Sequence, residues 1–196
     1  MSLSFSINAQ ENYNYPDSLK GIVLKIEPLS LLYSHISIGI EVPMSKAFLD
    51  VNVGASGIGL TNYLNRKGGF LTKVGIKFPL KLRSPFSIIY LMPEVAYSNY
   101  KMNDYSSTTF NSQLKTVNAT AIMICFGYRH ISPQSNFYYD GGIDLGYGWA
   151  NLGGASNNYN FNISNNNGVY PQTSTTGVAV SCHLAIGFLI KPPSVR

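Results

Sequence analysis

Charged side chains are scarce in this chain. Asp, Glu, Lys and Arg make up 12% of its 196 residues, about half of the share that is usual in a soluble domain. The 14 Lys and Arg residues give a formal net charge of +5, but they are dispersed along the sequence. Because nucleic-acid-binding surfaces need clustered basic residues, we predict no nucleic-acid partner.

Long apolar runs are also missing. No stretch approaches the roughly 18 residues that a transmembrane helix needs, and the longest candidate, residues 177–190, is interrupted by Ser181 and His183. The chain is nevertheless 45% hydrophobic and 13% aromatic. An apolar, charge-poor chain without a spanning helix is typical of a protein that presents its apolar residues on β-strands.

Cysteines are too few for a disulfide framework. Cys125 and Cys182 both lie in strand patterns, in opposite phases of the alternation. We therefore predict that they lie on opposite faces of a sheet, as unbridged thiols that are buried or face lipid.

The clearest strand pattern covers Phe137 to Trp149, with the sequence FYYDGGIDLGYGW. One set of alternate residues is largely apolar and ends in aromatics, and the other consists of aspartates and glycines. Period-two alternation of this kind indicates a strand with two unlike faces. Similar alternation predicts eight strands in all, at residues 22–29, 35–42, 48–58, 71–78, 86–100, 117–129, 137–149 and 177–190.

The connections between these strands alternate in length. Those near residues 43–46, 83–85 and 132–135 are short, whereas 59–69, 101–116 and 150–176 are long; the first connection, 30–34, is the short exception on the second side. Short turns at one rim and long loops at the other are typical of outer-membrane barrels. We predict an all-β fold, an eight-stranded antiparallel up-and-down transmembrane β-barrel over residues 21–191.

The ends of the chain are assigned to other roles. Residues 1–9 are interpreted as the remnant of a signal peptide, because small residues precede Gln10. Its apolar part is short and lacks a positive start, so either the true start codon lies upstream of Met1 or the segment was trimmed. Residues 10–20 are interpreted as a polar linker and 192–196 as a C-terminal tail.

Alternation does not say which face points inward, since soluble and membrane barrels are inverted relative to each other. Large residues on the apolar face would overfill an eight-stranded interior, whereas the polar face is rich in glycine. Six of the nine acidic residues share that polar face with basic residues, as a paired interior network requires. Tyr139 and Trp149 are ten residues apart, about 25 Å along a tilted strand, which is the height of a membrane's apolar band.

These observations favour a polar interior that holds a structural charge network. Arg129 is predicted to be its most informative member, because a guanidinium can bridge two carboxylates. The predicted members are Lys25, Glu27, Glu41, Asp50, Lys73, Lys77, Glu94, Arg129, Asp140, Asp144 and His183.

Chemical motifs are few. The three histidines have no metal-ligand spacing. Ser181, His183 and Asp144 permit a Ser/His/Asp interpretation, but an interior hydrogen-bond network explains them better, since they lie midway along strands. We predict no catalytic, cofactor-binding or metal-binding residue, no cofactor and no enzymatic activity.

Three segments carry a resemblance to a known family. They are residues 25–29 (KIEPL), 36–41 (ISIGIE) and 91–98 (LMPEVAYS), together with the glycine-rich strand at 137–149. The chain resembles the small outer-membrane β-barrel family of uncharacterised function in Gram-negative genomes, within the broad OmpA/OmpX-like class. The resemblance implies an eight-stranded barrel in the outer membrane and carries over no catalytic residue; the short N-terminal signal departs from the family's full signal peptide.

The sequence therefore predicts a multi-pass barrel of the cell outer membrane that is structural or adhesive, non-catalytic and plugged by its polar interior. Outer-membrane lipids surround it, and an extracellular partner would bind through loops 101–116 and 150–176. Two alternatives remain: a barrel enzyme acting on lipid or peptide at the outer rim, and a soluble lipocalin-like binder of small ligands.

Overall fold

The computed structural model describes residues 21–33, 35–56, 66–104, 113–152 and 176–190. The predicted signal remnant, linker and tail lie outside these residues, as do the central parts of the long loops. Within the described ranges, no helix is long and apolar enough to cross a membrane.

The fold is a closed barrel of eight antiparallel strands, each paired with its neighbour in sequence, and β1 also pairs with β8. The predicted fold, an eight-stranded antiparallel up-and-down barrel, is confirmed. The strands are β1 (Ile22–Ile26), β2 (His35–Pro43), β3 (Phe48–Ser56), β4 (Arg66–Ser84), β5 (Ser87–Asp104), β6 (Gln113–Ile131), β7 (Phe137–Leu152) and β8 (Thr176–Ile190).

The first strand is shorter than predicted. β1 ends at Ile26, and Pro28–Tyr33 forms a 3-10 helix instead of continuing the strand. Pro28 has no N–H group to donate to a ladder. The backbone N–H of Ser30 donates to the carbonyl of Glu27 at 3.0 Å, which closes the turn.

β4, β5 and β6 are longer than predicted. β4 covers 19 residues, and its register with β5 shifts between Arg66 and Gly69 and again between Pro79 and Lys81. Such bulges interrupt the period-two alternation on which the prediction depended. The predicted loop at 101–116 is likewise strand at both ends, since β5 continues to Asp104 and β6 begins at Gln113.

The ladder is strongly staggered. A path that starts at Lys25 on β1 and moves from each residue to its partner on the next strand ends at Gly177 on β8. Lys25 itself pairs with Gly187 across the β1–β8 contact, so the path returns ten residues away from its starting register. Such a stagger tilts the strands and sets the width of the barrel. Within the described residues, β1, β2 and β3 have 5, 9 and 9 residues, whereas β4 to β8 have between 15 and 19.

The two faces of the wall differ as the alternation predicts. On β7, Ile143 and Leu145 are 65% and 58% exposed, whereas Asp140 and Asp144 are at most 1% exposed. Glycine makes room inside: a Cβ on Gly127 would lie 2.3 Å from the Tyr90 hydroxyl. The assignment of the apolar face to the outside is therefore confirmed, and the two cysteines follow it, with Cys125 buried and Cys182 exposed.

Candidate functional site in the barrel lumen

The interior is layered along the barrel axis. At the short-turn end, apolar side chains pack together: Val23, Phe48, Ile88, Ile131, Tyr138, Ala185 and Leu189. At the long-loop end, a second cluster is rich in alanine: Ala96, Tyr100, Val117, Ala119, Ala121, Met123, Ala150 and Ala179. Most of the charged side chains predicted for the interior lie between these two layers.

Lys77 lies at the centre of the charged layer. Its ammonium nitrogen is 2.8 Å from Glu41 Oε2 and 2.7 Å from Asp50 Oδ2, and it also bonds to Asp140. The Tyr138 hydroxyl lies 2.9 Å from Glu41 Oε2 and 2.6 Å from Asp140 Oδ2, and its single proton can be donated to either carboxylate. All of these side chains are almost completely buried, so each carboxylate depends on these donors to replace water.

Lys25 supplies a second cation to the same group of carboxylates. Its nitrogen donates to Asp50 Oδ2 at 2.6 Å and lies 4.0 Å from Asp140. The Asn52 amide donates to the other Asp50 oxygen at 2.6 Å. Asp50 is thereby shared between Lys25 and Lys77.

Arg129 has a different role from the one predicted for it. Its Nη2 atom lies 2.9 Å from Glu41, and its guanidinium carbon is 4.2 Å from the ring centre of Phe48. Within the described part of the chain, none of its three guanidinium nitrogens has a partner with hydrogen-bond geometry, so the contact with Glu41 is an ion pair. The cation that bridges several carboxylates is Lys77, and Arg129 joins the charged layer to the apolar layer by stacking on rings.

A second group of polar side chains surrounds Asp144, on the long-loop side of Lys77. Ser181 donates to Asp144 Oδ2, and His183 Nδ1 lies 3.3 Å from Asp144 Oδ1. Asp144 therefore lies between the serine and the histidine. A Ser/His/Asp triad requires the histidine in the middle, so the contacts of Asp144 do not assemble one.

The remaining predicted members adjoin this group. Lys73, on β4, is partly buried and interacts electrostatically with Glu27 and Glu94. Glu94 is 4% exposed, and its Oε1 atom has no hydrogen-bond partner among the described residues. The structure thus places all eleven predicted residues on the interior side of the wall, although Glu27 follows β1 rather than belonging to it.

Two sets of side chains within the described residues have the composition and closeness of metal ligands. In the first, Glu41, Asp50 and Asp140, the Lys77 ammonium already supplies the positive charge. The second is Cys125, Asp144 and His183, from β6, β7 and β8. The spacing of histidines in the sequence gave no sign of the second set, because cross-strand pairing brings its members together: Cys125 pairs with Asp144, and Asp144 pairs with Ser181, two residues from His183.

Compared with protein-family models, with curated proteins and with solved structures, the chain shows no match in any of the three comparisons. The resemblance to the small outer-membrane barrel family stays a prediction.

Proposed function

We propose that the chain is an integral β-barrel of a bacterial outer membrane, with a closed lumen and a structural or adhesive role. The observation that carries this proposal is the inverted distribution of polarity. Large apolar side chains cover the outside of the wall, and ion pairs fill the inside.

The exposed apolar side chains form a surface that suits lipid. On β7, Tyr139 and Trp149 are 46% and 41% exposed and enclose the exposed Ile143 and Leu145 along one face. Their separation corresponds to about 25 Å along the barrel axis, which supports two aromatic girdles with an apolar band between them. An apolar surface of this extent would be an aggregation hazard in water.

The interior also bears on the two alternatives. A lipocalin-like binder of apolar ligands would need an apolar cavity, whereas the middle of this lumen holds charges such as Lys77 and Asp140. An enzyme of the Ser/His/Asp type would need His183 beside Ser181, and Asp144 instead separates the two residues. Both observations favour a barrel whose interior side chains stabilise the fold and neither bind an apolar ligand nor catalyse a reaction.

The location is tested by fractionation of a Gram-negative host that expresses the chain. We expect the protein in the outer-membrane pellet after carbonate washing. Because closed barrels resist unfolding by detergent, the unheated sample should migrate differently on a gel from the heated one. Recovery of a monomer in the detergent-free soluble fraction would contradict the proposal.

The closed lumen predicts the absence of large conductance. Tyr90 and Arg129 are completely buried and, with Tyr138, fill the lumen near Lys77. An eight-stranded barrel with filled side-chain positions has no room for a continuous water column. We expect planar-bilayer recordings of the purified protein to show no stable openings; stable, large, ion-selective openings would identify a pore.

A further inference from the structure

We propose that Cys125, Asp144 and His183 form a binding site for one divalent metal ion of the zinc class inside the barrel. This site shares no ligand with the carboxylates that contact Lys77, although Tyr90 connects it to Asp140, and it would exist whether or not the loops bind a partner.

The distances between the candidate ligand atoms suit a tetrahedral ion. Cys125 Sγ lies 3.9 Å from His183 Nδ1, and that nitrogen lies 3.3 Å from Asp144 Oδ1. Usual zinc–ligand bond lengths place a sulfur and a nitrogen roughly 3.6 Å apart, and a nitrogen and an oxygen about 3.3 Å apart. A site with a thiolate, an imidazole and a carboxylate binds zinc in preference to magnesium or calcium, which favour oxygen ligands.

The hydrogen bonds of Tyr90 orient His183 for this role. The Tyr90 hydroxyl donates its proton to Asp140 at 2.6 Å, so its oxygen can only accept from His183 Nε2, 3.1 Å away. A neutral His183 then carries its proton on Nε2 and has a lone pair on Nδ1. Holding the far nitrogen of a ligating histidine by a hydrogen bond is the usual arrangement at metal centres.

This orientation leaves two acceptors facing each other. The Nδ1 lone pair points toward a carboxylate oxygen, and Asp144 Oδ1 is completely buried without a hydrogen-bond partner among the described residues. Two buried acceptors at 3.3 Å need a positive charge between them, either a proton or a metal ion. Because Asp144 Oδ1 lacks hydrogen-bond geometry and the Cys125 sulfur lies beside the same nitrogen, a metal ion satisfies all three atoms at once.

Binding would displace two protons. The Cys125 thiol loses its proton to solvent as the sulfur–metal bond forms, and the proton that His183 and Asp144 share in the metal-free protein also leaves, so that His183 binds in its neutral form and Asp144 as a carboxylate. Three protein ligands leave a fourth position for water.

The test uses the full chain, refolded in detergent and freed of metal with a chelator. Co²⁺ is the probe, because a thiolate ligand gives it a charge-transfer band in the near ultraviolet. We expect a band that saturates at one Co²⁺ per chain and disappears when Zn²⁺ is added. Cys125→Ser should abolish the band, and Cys182→Ser, which changes the exposed cysteine, should keep it.

Tyr90→Phe tests the orientation of the histidine. Loss of the phenol oxygen should weaken Co²⁺ binding roughly 10- to 100-fold, as expected when the partner of a ligating histidine is removed. Unchanged affinity in Tyr90→Phe would contradict the role given to that hydroxyl.

A further measurement does not depend on the folding of a ligand variant. X-ray absorption of the Zn²⁺-loaded Cys182→Ser protein should show one sulfur neighbour at about 2.3 Å. Oxygen and nitrogen neighbours alone, or binding that never saturates at one ion per chain, would show adventitious metal only and overturn the proposal.

Discussion

Lys77→Met is expected to destabilise the barrel by about 3–5 kcal/mol, the usual cost of removing one partner from a buried ion pair. The methionine keeps most of the side-chain volume but leaves Glu41, Asp50 and Asp140 without the ammonium that bridges them. Lys25 remains beside Asp50, but it lies 4.0 Å from Asp140, so it replaces only part of the lost charge. Unfolding by guanidinium in lipid vesicles can be followed by the fluorescence of Trp149, the single tryptophan.

Lys81→Met is the matched control for this substitution. Lys81 lies on the same strand, but its side chain is exposed near the short-turn rim. Substitution of an exposed charge usually changes stability by less than about 0.5 kcal/mol. Equal effects at Lys77 and Lys81 would show that the charged layer contributes nothing specific to stability.

Leu145→Arg is expected to cost about 2–4 kcal/mol in lipid vesicles, provided that this position lies near the bilayer midplane. Leu145 is 58% exposed between the aromatic ends of the β7 face, so an arginine there would have to enter hydrocarbon. Ile38, Val51 and Ile76, on β2, β3 and β4, are assigned to the same outward face and should behave similarly.

Met44→Arg separates the effect of depth from the effect of exposure. Met44 is 49% exposed, but it lies in the turn between β2 and β3, where an arginine should cost no more than about 1 kcal/mol. In a water-soluble barrel the two arginines would be tolerated alike. Similar stability of Leu145→Arg and Met44→Arg would therefore contradict the membrane proposal.

The sequence predicts strand number and facing well because both depend on short-range alternation. Along β7, apolar residues alternate with Asp or Gly, and this alternation can be recognised even when the strand ends are predicted wrongly by a few residues. Boundaries depend on other forces. Gly68 and Gly69 have positive φ angles of 65° and 150°, and they lie within β4 because pairing with β5 continues past the bulge.

The contacts between interior side chains were harder to predict from the sequence than the list of residues that point inward. Alternation identifies which side chains point inward, but the partner of each one depends on the register and stagger of strands far apart in sequence. Arg129 and Asp140 are directly paired across β6 and β7, yet the cation that bonds to Asp140 is Lys77 of β4. For the same reason, the sequence did not predict that Cys125 and His183 lie close together.

The seam between β1 and β8 has consequences for how the barrel assembles. Ile26 and Ile186 are neighbours across this seam, although 160 positions separate them in the chain, so closure carries the largest entropy cost of any strand pairing here. Among the described residues, five pairs hold the seam and four join β1 to β2, against fifteen between β6 and β7. We therefore expect a curled open sheet to form first and β8 to find β1 last. Docking of β8 onto β1 thus determines when the wall becomes continuous.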